Sequence, residues 1–208
     1  MGLVMSAKAQ PLRVPIPDEL QGPLFPPQGR WTYEDYQRLP DDGRRYEVLR
    51  GVLYVTAAPN LLHQTVLRNV VRLLIRFLDE KPLGDFLFSP VDLVLPNGLS
   101  APVQPDLVYS TRGWREQMAN QYLEGVPDLV LEVLSPSTRR YDRRTKLEVY
   151  AAAGVQEYWL ADPMKRTFEV LVLRNGSYEA LGLFGAGGRV QSEVLPGFEP
   201  RVDQIFQI

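Results

Sequence analysis

The run Leu129-Val130-Leu131-Glu132-Val133-Leu134-Ser135-Pro136-Ser137-Thr138 decides how this chain is read. Five of its first six residues are Leu or Val, the pattern of a short central strand buried on both faces. Ser135 to Thr138 break that strand, and their hydroxyls can cap a following helix, expected from about Arg140 to Ala153 and stopped by Gly154. Within the apolar run stands Glu132, and an unpaired carboxylate there costs on the order of several kcal/mol. The strand therefore asks for a charged partner or a cation.

Outward from this strand, the chain alternates helical and extended signals. Upstream, Thr32 can cap a short helix with Glu34 and Asp35 in its first turn, ended by Pro40. Arg45–Leu49 and Val52–Val55 flank Arg50-Gly51 as a hairpin, and Leu62, Val66, Leu67, Val70, Leu73, Leu74, Phe77 and Leu78 mark one long helix from Leu61 to about Glu80. Phe86–Phe88, Val91–Leu95 and Val103–Tyr109 read as strands separated by turns. Downstream come a strand at Glu157–Ala161 and a hairpin, Thr167–Leu173 with Ser177–Leu183, about Asn175-Gly176. A glycine-linked edge closes the chain. This order describes a mixed sheet with helices packed on it. Residues 1–30 hold Pro11, Pro15, Pro17, Pro23, Pro26 and Pro27 with no apolar period, and read as an extended arm before a single domain at 31–208.

Composition removes whole classes of chemistry. With no cysteine, thiolate metal sites, disulfides and cysteine nucleophiles are excluded, and the single histidine, His63, cannot build a three-histidine metal site. A net charge of −2 argues against coating nucleic acid through bulk positive charge, though not against a local basic groove. No apolar run approaches the ~20 residues of a membrane span, and the first residues lack a secretory apolar core. A cytoplasmic protein with no membrane partner is expected.

Carboxylates, lysines and arginines are left to carry chemistry. Asp106, in Pro105-Asp106-Leu107-Val108, opens one apolar strand much as Glu132 interrupts another. If the strands are neighbours, the two acids converge on one Mg²⁺ (or Mn²⁺) with a backbone carbonyl and waters, since such cations prefer hard oxygen ligands. Each acid taken singly is as well explained by a turn or an ion pair. Glu47 is either a third acid or the solvated face of an edge strand. Lys146 is either the i,i+4 partner of Asp142 or a lysine reaching back to the site. Arg139, Arg140, Arg143 and Arg144 form a cationic helix start, either solvated or binding a phosphate backbone. His63 is a first-turn surface residue or part of a cleft floor.

Tyr46-Glu47-Val48-Leu49-Arg50-Gly51, Pro105-Asp106-Leu107-Val108, Glu132–Thr138, and Lys146 followed by Tyr150–Pro163 resemble the Uma2 (DUF820) family of restriction-endonuclease-like proteins, over about Trp31 to the C-terminus. The resemblance implies an α/β fold of the PD-(D/E)xK nuclease superfamily, a central mixed β-sheet flanked by helices, here with an added C-terminal β-hairpin. It also implies a Mg²⁺-dependent endonuclease hydrolysing DNA phosphodiester bonds. Carried over, Glu47, Asp106 and Glu132 are the acidic positions, Asp106 and Glu132 the metal ligands, Lys146 the catalytic lysine, and Gln104 and His63 cleft residues. One departure stands out: the general motif puts lysine two positions after the second acid, where this chain has Leu134, so Lys146 on the next helix takes that place. Cutting two strands with one site per subunit implies a homodimer. The rival class is an inactive nuclease-fold binding or assembly protein. A two-carboxylate glycosidase, which needs neither lysine nor metal, ranks behind both.

Overall fold

The computed structural model describes residues 17, 20, 22, 24–56, 58–114, 118–119 and 122–208. Most of the expected Pro-rich arm lies outside the described residues. Its described end packs on the domain: Leu20 is buried with Trp31, Phe25 stacks on Trp31, and Gln28 both donates to and accepts from the Leu53 backbone.

In chain order, α1 (Tyr33–Tyr36) is capped by Thr32 and Asp35, each accepting from the other's backbone N–H. The hairpin β1 (Arg45–Leu49) and β2 (Val52–Thr56) turns through Arg50 and Gly51, both at positive φ, and forms its own two-stranded sheet. A Cβ on Gly51 would sit 2.6 Å from the Gly29 carbonyl oxygen, so this turn needs glycine for space as well as for conformation. Then α2 (Leu61–Glu80) starts at Asn60, whose side chain accepts from the His63 N–H, and buries Val66, Leu67, Val70, Val71 and Leu74. After it come β3 (Asp85–Phe88), β4 (Leu93–Val94), β5 (Leu107–Ser110), β6 (Met118–Ala119), β7 (Tyr122–Glu124) and β8 (Leu129–Val133).

The expected helix after β8 is present but not uniform: α3 (Arg139–Tyr141) passes through a π-helical turn at Asp142–Lys146 into α4 (Leu147–Ala153), closed by Gly154 at φ 92°. The chain ends with β9 (Glu157–Asp162), β10 (Thr167–Arg174), β11 (Ser177–Phe184) and α5 (Val202–Ile205). Two expected strands are shorter than their apolar runs: Val91–Leu95 keeps only β4, and Val103–Tyr109 only its end in β5. Pro102 and Pro105 lack the N–H that a ladder needs, and Val103 meets Leu93 through one isolated bridge.

Six strands form the main sheet in the order β11-β10-β9-β8-β5-β3; β8 and β9 run parallel, and the other pairs are antiparallel. A smaller sheet, β4-β7-β6, packs beside it. The central mixed sheet flanked by helices is the α/β architecture expected. Side chains alternate across the main sheet. Leu107, Tyr109, Leu129, Leu131 and Val133 pack with α2 and α5, while Val108, Val130 and Leu134 face Val149 and Tyr150 of α4. Glu132 shares the parity of Val130 and so lies on the α4 side. Among the described residues, no helix is long and apolar enough to cross a membrane.

Candidate active site

The register between β5 and β8 pairs Leu107 with Leu131 and Val108 with Val130. Continued by one step, it sets Asp106 opposite Glu132. The two acids that interrupt apolar runs thus meet at one end of neighbouring central strands. Both are buried, as are Glu47, His63, Asp142 and Lys146, and all six line a single cleft of about 360 Å³. Arg45, Tyr141, Asn60 and the Ser135–Thr138 loop complete its wall.

Each carboxylate is held by specific donors. Asp106 Oδ2 accepts the Val133 N–H at 2.7 Å, and its Oδ1 lies 3.1 Å from His63 Nε2 and 3.7 Å from an Arg45 guanidinium nitrogen. Burial alone would raise its pKa, but His63, Arg45 and Lys146 outweigh burial and hold it below the usual carboxylate value. Glu132 Oε1 accepts from Lys146 Nζ at 2.8 Å and from the Tyr150 hydroxyl at 2.9 Å. Its pKa is nonetheless driven well up by burial, opposed by Lys146 and reinforced by Asp106, Asp142 and Glu47.

Lys146 Nζ also lies 3.0 Å from Glu47 Oε1, which accepts the Gln104 N–H at 2.7 Å. The lysine therefore joins the β1–β2 hairpin to the main sheet. Glu132, Glu47 and Asp142 raise its pKa against the downward pull of burial, so it stays protonated. Glu47 Oε2 and the neighbouring Tyr141 hydroxyl are buried, and neither closes a hydrogen bond. Glu47 is thus no solvated edge residue, and Lys146 reaches back to Glu132 and Glu47 while still feeling the charge of Asp142 at i,i+4. The π-helical turn carries Asp142 and Lys146 to the wall that Tyr141, just before it, also lines, and such turns recur at functional sites.

His63 belongs to the cleft floor. Gln104 does not line the cleft; it braces it, its backbone N–H on Glu47, its carbonyl and side-chain oxygens accepting from Arg45, and its amide nitrogen donating to Asp92 and Tyr36. The arginine cluster divides. Arg139 pairs with Asp162 at 2.5 Å and Arg143 with Glu169 at 2.6 Å, while Arg140 and Arg144 are exposed and have no ion pair among the described residues. Sequence reasoning missed Arg45 and Asp142 as cleft residues. Arg45 precedes Glu47 by two positions on one strand, so the period of two placed it on the same face, a signal that was available. Asp142 depends on the π-helical turn, which no sequence period foretells.

Four carboxyl groups line the cleft beside two fixed cations; Asp106 is held ionised, while burial favours the protonated forms of Glu132 and Asp142. Among the described residues, no group of three or more His, Cys, Asp or Glu side chains is disposed to enclose a metal ion. The donor set fits a hard cation that keeps most of its waters: two carboxyl groups from adjacent strands and one buried carboxylate oxygen, Glu47 Oε2, left without a donor. Mg²⁺ commonly uses one or two carboxylates and keeps its waters.

Residues 33–204 match the family model described as "Uma2: Putative restriction endonuclease". Among solved structures, a crystal structure of "a putative nuclease belonging to DUF820" from Anabaena variabilis ATCC 29413 shares the fold, with a TM-score of 0.67 at 17% identity over 85% of this chain and 97% of that one. No curated protein matches the chain.

Proposed function

This chain belongs to the Uma2 family, and from that premise we propose that it is a divalent-metal-dependent endonuclease hydrolysing DNA phosphodiester bonds. The observation that carries the reading is Lys146, buried and bonded at once to Glu132 and Glu47 beside Asp106, at the mouth end of two neighbouring strands. Asp106 and Glu132 hold Mg²⁺ (or Mn²⁺). When bound, such a cation supplies a water of lowered pKa and neutralises charge at the phosphate.

The chain's own residues do the rest. The Val133 N–H and His63 fix the Asp106 carboxylate, and Lys146 and Tyr150 fix one oxygen of Glu132. Lys146 holds its proton, and its ammonium stabilises charge that grows on the phosphate in the transition state. Glu47 keeps the ammonium oriented and leaves Oε2 open to accept a proton or a hydrogen bond. Arg45, fastened by two bonds to Gln104, presents its remaining nitrogen toward Asp106 and the phosphate bound there. Arg140 and Arg144 contact the backbone outside the cleft, with Arg139 and Arg143 set behind them. Cutting both strands calls for two clefts, and hence a homodimer, in the cytoplasm.

Supercoiled plasmid incubated with the purified chain is expected to be nicked with Mg²⁺ or Mn²⁺, not with EDTA, and at least a hundredfold more slowly by Asp106→Asn. Equal nicking by wild type and variant would falsify the assignment. Calorimetry that finds no Mg²⁺ or Mn²⁺ binding by the folded chain would favour the inactive alternative.

A further inference from the structure

The cleft that must receive a phosphate is lined by four carboxylates, and two of the four arginines beside it are occupied by Asp162 and Glu169. Arg140 and Arg144 alone are left unpaired there among the described residues, so further attraction for an anionic polymer comes from elsewhere on the surface. α2 supplies it. Its N-terminal end contributes Asn60 and His63 to the cleft, and its outer face carries Arg68, Arg72 and Arg76 at intervals of four. All three are exposed, and none makes an ion pair among the described residues; the Arg68 guanidinium donates to Asn69 Oδ1.

The stripe lacks the signature of an ordinary solvated face. Exposed helix faces usually interleave acids with cations at i,i+4, which stabilises the helix, whereas like charges at that spacing cost a similar amount. Between Leu61 and Leu78 there is no Asp or Glu at all. Arg68 and Arg72 therefore bear like-charge repulsion that no acid on the helix offsets, whereas Arg76 has Asp79 and Glu80 three and four positions on, with an ion pair to neither. At 1.5 Å of rise per residue the three guanidinium groups are spread over ~12 Å, a length matching several phosphates of one strand. Arginine suits such contacts because its planar fork can meet two phosphate oxygens at once.

We infer that the outer face of α2, through Arg68, Arg72 and Arg76, is the surface on which the nucleic-acid backbone docks to enter the cleft. This rests on the nuclease reading and names the part of the molecule that captures its substrate. The contacts are to phosphate, so docking is independent of base sequence.

The test is fluorescence anisotropy of a labelled 20-base-pair duplex titrated with the full-length chain in EDTA, between 50 and 200 mM KCl, so that no cleavage intervenes. The triple variant Arg68→Gln, Arg72→Gln, Arg76→Gln is compared with Arg30→Gln, Arg112→Gln, Lys165→Gln, which removes the same charge from other exposed positions. The α2 variant is expected to bind about 10- to 100-fold more weakly and to lower the slope of log K against log salt by about 2 to 3, given roughly 0.9 per phosphate contact. The control should change affinity less than threefold, and circular dichroism should be unaltered in both. Wild-type affinity in the α2 variant, or equal loss in the control, overturns the surface while plasmid nicking by the wild type leaves the nuclease reading intact. A wild type that neither binds nor nicks DNA overturns both. Binding to phosphatidylglycerol vesicles in place of DNA assigns the stripe to a membrane and overturns the inference.

Discussion

At the scale of single residues, Asp142 is where the cleft couples most directly to pH. Burial pushes its carboxyl up to about 7, against the pull of Lys146 and a hydrogen bond from Thr138. A carboxyl raised in the folded state contributes stability that is whole below its unfolded pKa and lost as pH climbs through the folded value, a window from about 4 to 7. Asp142→Asn removes that loss. The melting temperature of the variant relative to wild type is expected to rise as pH goes from 4 to 8, and a difference that stays flat across the range would show that Asp142 is ionised throughout. The acids on β5 and β8 were legible in the sequence because a charge in an apolar strand is conspicuous against its neighbours. Asp142 was not, since in a helix full of charges an acid looks solvated until the backbone shows which way it turns.

Elements were read best where one local rule governed them. Asn175-Gly176 made its hairpin, with both residues at positive φ, and the apolar period of α2 gave a helix with the expected bounds. The rule failed where prolines cut apolar runs short and where the helix after β8 widened into a π-helical turn. That helix is still terminated as expected. Gly154 adopts φ 92°, donates its N–H to the Tyr150 and Ala151 carbonyls, and has open space where a Cβ would stand. With no steric clash to confuse the result, Gly154→Ala isolates the backbone term and is expected to cost ~1 kcal/mol in urea unfolding. A neutral or stabilising outcome would mean that the turn relaxes out of its left-handed conformation. Because α4 carries Tyr150 to Glu132, the same cap keeps one donor of the site in register.

At the scale of the whole molecule, the cleft is not a property of the main sheet. Glu132 and Asp106 stand on it, whereas Glu47 and Arg45 come from the β1–β2 hairpin, a separate sheet whose position no local sequence signal specifies. The fold class could be read from element order; the meeting of these two sheets could not, since it depends on long-range packing. Lys146 spans the junction. Lys146→Met leaves Glu47 and Glu132 buried without their shared cation, and breaking a buried pair in this way costs about 3–5 kcal/mol. Chemical denaturation should register that loss, with amide exchange in β1 accelerating more than in β9; a loss under 1 kcal/mol would indicate that the carboxylates take up protons at little cost.

Glu157 illustrates the opposite arrangement. It is fully buried, yet it accepts from Trp159 Nε1, the Ser192 hydroxyl and the backbone N–H groups of Glu193 and Val194, so its charge is spent on pinning the C-terminal segment to β9. Lys146 is not spent in that way. An ammonium shared between two sheets is a movable fastener: an anion that draws it from Glu47 removes one tie on the hairpin, which the backbone bonds of Val48 and Arg50 still hold. Occupancy of the cleft is therefore coupled to the freedom of the Glu47 end of β1, and a tight-binding phosphate analogue is expected to reveal itself as faster amide exchange around Glu47.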